Sequence, residues 1–167
     1  MPRLILLNGP PASGKSSLAR RFVADHPLAL NLDLDVVRSL LGGWQDDWLA
    51  AGLLARELAL VMVRTHLASG HDVIIPQLIA DPEYLASIEA SATGATFHEV
   101  VLLAEPDVLT RRFAERADPV SAQLDGMPAL AELTGRLLAV LADRPHARIS
   151  RTDGSLDESY TNLLALL

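Results

Sequence analysis

The chain has 167 residues, half of them apolar and 21% charged, with a formal net charge of −7 at pH 7. This length and composition predict a single domain over residues 1–167 with a full-sized core. The sequence contains no cysteine, which excludes disulfides and thiolate metal sites. The acidic balance and the lack of basic runs argue against an extended nucleic-acid partner.

The sequence predicts a cytoplasmic location and no membrane partner. A strand-like apolar run begins at residue 3, which leaves no room for the charged and cleavage regions of a secretory signal. No apolar stretch reaches the roughly 18 residues that a membrane span requires. The longest helix-like segment is interrupted by Arg56, Glu57 and Arg64.

Short apolar runs alternate with helix-length segments along the chain, a pattern typical of a parallel sheet covered by helices on both faces. The predicted strands are 4–7, 28–32, 73–75, 100–103 and 147–150. The predicted helices are 15–24, 36–41, 48–69, 82–92, 106–117, 128–142 and 155–166. Two less regular stretches, 42–47 and 118–126, are candidates for mobile segments over a site.

Residues 9–16, GPPASGKS, match the pattern GxxxxGK[ST] between the first predicted strand and helix. In this context the pattern indicates the Walker A phosphate loop, whose backbone N–H groups and helix N-terminus favour phosphate. We expect Lys15 to contact the β- and γ-phosphates and Ser16 to bind Mg²⁺. Lys15 is also the only lysine. A glycine-rich turn without a ligand is the alternative. The residues expected to bind ATP here are Gly9, Ala12, Ser13, Gly14, Lys15, Ser16 and Ser17.

Two carboxylates, Asp33 and Asp35, follow the second predicted strand and alternate with Leu32 and Leu34. In an extended chain this spacing places both carboxylates on one face, at the edge where parallel strands end. We expect Asp35 to orient or deprotonate an acceptor hydroxyl and Asp33 to hold Mg²⁺, directly or through water. The alternative is that Asp35 caps the following helix and Asp33 is solvated.

Three further residues are candidates for an acceptor site. Arg38 can contact an anionic group of the acceptor, or it can be a solvated helix residue. Trp44 can supply a stacking surface together with Trp48, although both also fit the amphipathic start of the long helix. Gln77 follows the third predicted strand, where no carboxylate stands as a Walker B acid. The metal would then depend on Asp33 or on water.

The Walker A pattern near the N-terminus, followed after one helix by Asp35-x-x-Arg38, resembles the small P-loop kinases of the AAA type. This group includes chloramphenicol phosphotransferase, zeta toxins, the polynucleotide 5′-hydroxyl kinase domain and adenylylsulfate kinase. The Asp-Gly-Asp-Asn-x-x-Arg run of the last is similar to residues 33–38, with Arg38 one place earlier. The resemblance implies a three-layer α/β fold, a five-stranded parallel sheet in the order 2-3-1-4-5, and Asp35 as the base for the acceptor hydroxyl.

Arg112 and Arg116, four residues apart in the helix after the fourth strand, lie on one helix face. In the kinases that the chain resembles, such a pair opens a lid, with one arginine near adenine or the phosphates and the other neutralising charge during transfer. The alternative is a solvated face balanced by Glu105, Asp107 and Glu115.

The loop after the fifth strand contains Thr152 and Gly154. The resemblance suggests that this loop borders adenine through backbone groups. A helix N-cap at Asp153 or Ser155 explains the same residues.

Together these motifs predict an ATP- and Mg²⁺-dependent kinase that moves the γ-phosphoryl group to a hydroxyl of a small metabolite, nucleoside, nucleotide or antibiotic. A polynucleotide or nucleotide end kinase is one alternative, and an ATP-binding regulatory protein without an acceptor is another. A GTPase is excluded, because its Asn-Lys-x-Asp motif needs a second lysine. Monomer and homodimer both remain open.

Overall fold

The computed structural model describes residues 1–115 and 130–167. Its strands are β1 (Arg3–Asn8), β2 (Leu30–Asn31), β3 (Val73–Pro76), β4 (Thr96–Leu103) and β5 (Arg148–Arg151). Its helices are α1 (Lys15–Asp25), α2 (Leu34–Ser39), α3 (Trp48–Ala68), α4 (Pro82–Ala90), α5 (Pro106–Ala114), α6 (Leu130–Leu141) and α7 (Leu156–Leu164). Over these two ranges, no helix has both the length and the apolar character to cross a membrane.

The five strands form one parallel sheet in the order β2-β3-β1-β4-β5. Leu4 of the central strand lies beside Val73 of β3 and Phe97 of β4. The strand order expected from the resemblance is confirmed. Because all strands run the same way, the segments that follow them meet at one edge of the sheet, called here the carboxyl edge.

Side-chain alternation along β1 divides the core into two layers. Leu4 and Leu6 pack on one face with residues of α2, α3 and α4. Ile5 and Leu7 pack on the other face with residues of α1 and α7. Helix α3 approaches the sheet through a stripe of mostly small residues spaced four apart, which are Ala51, Ala55, Ala59, Val63 and Leu67.

Several predicted element boundaries were wrong. Strand β4 begins at Thr96 rather than at residue 100, because the carboxylate of buried Glu99 accepts a hydrogen bond from Arg144 Nε at 2.5 Å. Strand β2 contains only two residues, and α5 ends at Ala114. The predicted irregular segment 118–126 and the start of the predicted helix 128–142 lie outside the described residues.

Arg3 and Asp72 join the starts of β1 and β3. The backbone N–H of Arg3 donates to Asp72 Oδ1 at 2.7 Å, and Arg3 Nε donates to Oδ2 at 3.0 Å. Burial alone would raise the pKa of Asp72, but the hydrogen bonds from Arg3 outweigh burial and hold this pKa below its ordinary value.

This contact predicts a pH-dependent contribution to stability. A carboxyl whose pKa is lower in the folded chain stabilises the fold above its unfolded pKa, and this contribution is lost as the pH falls through the folded pKa. We expect Asp72→Asn to lower the free energy of unfolding at neutral pH, and the gap to the parent to close below about pH 4. Urea titrations across this range measure the gap. A gap that is the same at all pH values would contradict the assignment.

Candidate functional site

The loop between β1 and α1 has a conformation that requires glycine at two positions. Gly9 has a φ of +150°, and a Cβ there would lie 2.6 Å from the carbonyl oxygen of Leu102. Gly14 has a φ of +95° and precedes α1 without a side-chain cap. The first N–H groups of α1 have no acceptor inside the helix, so a phosphate placed there can accept from them.

Two side chains of the loop have the geometry of a phosphate cradle. Lys15 Nζ donates to the carbonyl oxygens of Gly9 and Pro10 at 2.8 Å each, so its ammonium spans the loop. The hydroxyl of Ser13 is buried and has no hydrogen-bond partner among the described residues. An ammonium and an orphaned hydroxyl suit phosphate oxygens, and these residues therefore fit a nucleoside triphosphate.

Asn8 is a positioning residue that the sequence analysis missed. Its fully buried side chain donates to the carbonyl of Ile79 at 2.8 Å. Its Oδ1 accepts from the backbone N–H groups of Gly9 at 2.9 Å and Ile79 at 3.0 Å. The start of the phosphate loop is thereby fixed to the β3–α4 connection. The sequence feature that could have identified Asn8 is a polar residue at the end of an apolar strand, directly before a glycine.

Removing the Asn8 side chain should destabilise the fold. Asn8→Ala leaves three backbone groups without their partner, so we expect a loss of about 3 kcal/mol in the free energy of unfolding. Urea unfolding measures this loss, with Asn162→Ala on the exposed face of α7 as the matched control. Equal stability of the two variants would show that Asn8 does not hold the loop.

A cavity of about 290 Å³ lies beside the loop, between the start of α1 and the β5–α7 connection. Seven of its lining residues belong to the set predicted to bind ATP, and the other three were not predicted. The predicted ones are Ala12, Ser13, Gly14, Ser17, Arg112, Thr152 and Gly154, and the further ones are Leu18, Leu156 and Ser159. Leu156 and Ser159 come from α7, and no local sequence pattern connects them with the phosphate loop.

The far wall of the cavity is tied to both the loop and α5. Thr152 Oγ1 donates to the carbonyl of Ser13 at 2.9 Å, and Arg112 Nη2 donates to the carbonyl of Gly154 at 3.3 Å. The backbone N–H of Glu105, followed by Arg151 and Arg112, holds the pKa of Asp153 below its ordinary value. Arg112 therefore lies at this cavity, whereas Arg116 lies outside the described residues.

The structure corrects the expectation for the acidic pair. The chain does not stay extended to Asp35, because α2 begins at Leu34. Asp33 is the helix N-cap, and its Oδ1 accepts from the backbone N–H of Asp35 at 2.9 Å. The alternative that Asp35 is the cap is also wrong. Early helix formation buries Leu34 together with Val37, at helical spacing, against the core.

Asp35 belongs instead to a cluster around Arg38. Asp35 Oδ1 lies 3.1 Å from Arg38 Nη1, and the Arg38 guanidinium lies 3.9 Å from the ring centroid of Trp48. The Trp44 and Trp48 rings are 5.5 Å apart. A Cβ at Gly52 would lie 3.6 Å from Arg38 Nη2, an ordinary van der Waals distance, so α3 passes directly beside the guanidinium. The structure thus brings together Asp35, Arg38 and the two tryptophans, Trp44 and Trp48, that the sequence analysis considered for the acceptor site.

Arg38 is not the solvated residue that the alternative supposed. Its side chain is only 13% exposed, and its Nε is buried without a hydrogen-bond partner in the described part of the chain. A guanidinium that is fixed over an indole has the charge and the donor groups that a ligand carboxylate or phosphate requires.

Gln77 and the metal site receive less support from the geometry. The backbone N–H of Gln77 donates to the carbonyl of Leu7 at 3.1 Å, which extends the β1–β3 ladder by one residue. Residues 1–115 and 130–167 contain no group of three His, Asp or Glu side chains that could hold a metal. A magnesium ion would therefore be held by few protein groups, with nucleotide phosphates as its other ligands.

Arg56 is a further arginine near the carboxyl edge, and the sequence analysis assigned it no role in a site. Its Nη1 donates to Asp81 at 2.9 Å, and its guanidinium lies 4.6 Å from the Tyr84 ring centroid. Burial raises the pKa of Tyr84 to about 12. Along α3, Arg56 lies one turn beyond Gly52, on the face that contacts Arg38.

A five-stranded parallel sheet in this order, with GxxxxGKS between β1 and α1, defines the P-loop NTPase fold. A family model described as an AAA domain matches residues 4–134, and the chain belongs to this family. The family and the fold support the resemblance to small P-loop kinases.

Two solved structures share the fold. A gluconokinase from Sinorhizobium meliloti 1021 has 18% identity and a TM-score of 0.62, over 98% of this chain and 90% of that one. A provisionally named kinase from Chloroflexus aurantiacus j-10-fl has 18% identity and a TM-score of 0.63, over 99% of this chain and 98% of that one. A comparison with curated proteins gives no match.

Proposed function

We propose that this chain is an ATP- and Mg²⁺-dependent kinase that transfers the γ-phosphoryl group to a hydroxyl of a small-molecule acceptor. The observation that carries the proposal is the arrangement of two sites on one sheet. The phosphate loop and its cavity follow β1, and the Asp35–Arg38 cluster follows β2 at the same carboxyl edge. The two solved structures that share the fold are both described as kinases, which points in the same direction.

On the nucleotide side, the loop binds phosphate through backbone N–H groups and Lys15. Mg²⁺, when bound, would neutralise phosphate charge, and Ser16 and Asp33 are the residues that would hold it. Asp33 caps α2 with one carboxylate oxygen. Its other oxygen would hold the metal, directly or through a water. Adenine would lie in the cavity beside Thr152 and Gly154.

On the acceptor side, Asp35 takes the proton of the acceptor hydroxyl. The hydroxyl oxygen forms a bond to the γ-phosphorus at the same time. The bond from that phosphorus to the bridging oxygen breaks, and ADP leaves with the electron pair. Arg38 binds an anionic group of the acceptor, Trp44 supplies an aromatic wall, and Gln77 lines the pocket. Most of the rate enhancement would come from positioning and charge placement, as in phosphoryl transfer generally.

Arg112 should affect turnover more than folding. Its side chain is partly exposed, and the hydrogen bond that it donates within the described residues is a long one, 3.3 Å to the carbonyl of Gly154, so its loss should cost little stability. A cation on the transferred group stabilises transition-state charge, and we expect Arg112→Ala to lower kcat by about tenfold or more. The neighbouring Arg111 is exposed and supplies the control Arg111→Ala. A lowered Tm with unchanged kcat in Arg112→Ala would assign this arginine a structural role.

A screen for the acceptor tests the proposed function. The chain is incubated with ATP, Mg²⁺ and panels of sugars, sugar acids, nucleosides, nucleotides and hydroxylated antibiotics, and ADP is measured. We expect ADP release that depends on one chemical class, with a phosphorylated product detectable by mass spectrometry. ADP release that no hydroxyl compound changes would identify an ATPase without an acceptor.

A further inference from the structure

Helix α3 is apolar on the side that faces away from the sheet as well as on the side that packs against it. Leu54, Leu58 and Val61 recur at the spacing i, i+4, i+7 and are 56%, 45% and 52% exposed. Leu53 and Met62 flank them and are also exposed. No other residue in the described ranges buries this outer stripe. A 21-residue helix with two apolar sides is typical of one that is covered on both.

The charges within the stripe are few and specifically placed. Glu57 lies one turn before Val61 and Arg64 lies one turn after it, and both are exposed. In the described part of the chain neither forms an ion pair. An apolar surface with an acid on one side of its centre and a base on the other is complementary to a second copy of itself.

We propose that the outer stripe of α3 binds a second copy of this chain, with the two α3 helices antiparallel about a twofold axis near Val61. This inference does not depend on the proposed kinase activity. The axis pairs Glu57 with Arg64 of the partner subunit, and the same pair occurs twice. A parallel arrangement would instead place Glu57 level with the partner's Glu57 and about 10 Å along the axis from the partner's Arg64, so the charges select the antiparallel one.

The net charge argues against a membrane as the partner of this apolar surface. A chain with a formal charge of −7 is repelled by the anionic surface of a membrane. Two copies of the chain also repel each other, and the crossed Glu57–Arg64 pairs supply local attraction where the helices meet.

The experiment measures the mass of the full chain by sedimentation over a range of concentrations. We expect a dimer of the 18.0 kDa chain. Val61→Glu should shift it to monomer, because two carboxylates then meet at the axis. The control Leu164→Glu alters a side chain with 41% exposure on α7, on the opposite face of the sheet, and should remain dimeric. Circular dichroism checks that each variant is folded.

A charge exchange tests the orientation. Glu57→Arg and Arg64→Glu should each weaken the dimer by roughly tenfold or more, since each places like charges together twice. The double variant restores both crossed pairs and should return close to the parent affinity. A monomeric parent, a dimer that tolerates Val61→Glu, or a double variant no better than the single ones would each overturn the proposal.

Discussion

Lys15→Ala is expected to abolish acceptor-dependent ADP production while the fold remains intact. Lys15 Nζ donates to two carbonyl oxygens of its own loop, and the Lys15 side chain belongs to neither core layer. In the proposed transfer, however, this ammonium would be the compact charge placed against the β- and γ-phosphates. Removal of such a preorganised charge lowers the rate by about 10²-fold or more. The measurement is kcat with saturating acceptor, together with the Tm.

The controls for Lys15 separate charge from geometry. Lys15→Arg keeps the charge but replaces a compact ammonium with a planar guanidinium, so we expect a smaller loss of kcat than in Lys15→Ala. Arg21→Ala removes a cation from the exposed side of the same helix and should leave kcat unchanged. Unchanged ADP production in Lys15→Ala would contradict ATP binding at this loop.

Asp35→Asn is expected to lose about 10²- to 10⁴-fold in kcat, the usual contribution of a general base. Asparagine keeps the size of the side chain and an oxygen that can accept from Arg38, but not the basicity. The helix cap is unaffected, because Asp33 supplies it. ATP affinity and the Tm should therefore stay close to those of the parent.

The structure offers a matched control for Asp35. Asp107 occupies the same second position of α5 that Asp35 occupies in α2, and Asp107→Asn should leave turnover unchanged. Near-full turnover in Asp35→Asn would remove Asp35 as the base. Asp33 would then be the remaining carboxylate of the acidic pair that could serve as the base.

The parts of the site that the sequence predicted are those encoded by contiguous residues. The phosphate loop is a local pattern in which spacing alone specifies backbone conformation, and the structure shows the positive φ at Gly9 and Gly14 that it requires. The sheet order followed from resemblance, because strand order depends on packing across the whole chain. Alternating apolar runs indicated only that a parallel sheet would form.

The parts that were missed depend on contacts between distant residues. Glu99 interrupts an apolar strand and becomes compatible with burial only through Arg144, 45 residues later in the chain. Asn8 is significant only because Ile79 lies beside it. The error at Asp33 was local: its preference for capping ended the strand early, and periodicity cannot distinguish a cap from an extended residue.

The fate of the γ-phosphoryl group is the most direct test of the proposed reaction. ATP labelled in that group is incubated with the chain, Mg²⁺ and the mixture of hydroxyl compounds, and the labelled products are separated. Phosphoryl transfer predicts label in an organic phosphate ester, in equal amount to the ADP formed, and no such ester with Lys15→Ala. Label found only in inorganic phosphate, at a rate that the hydroxyl compounds do not change, would contradict it.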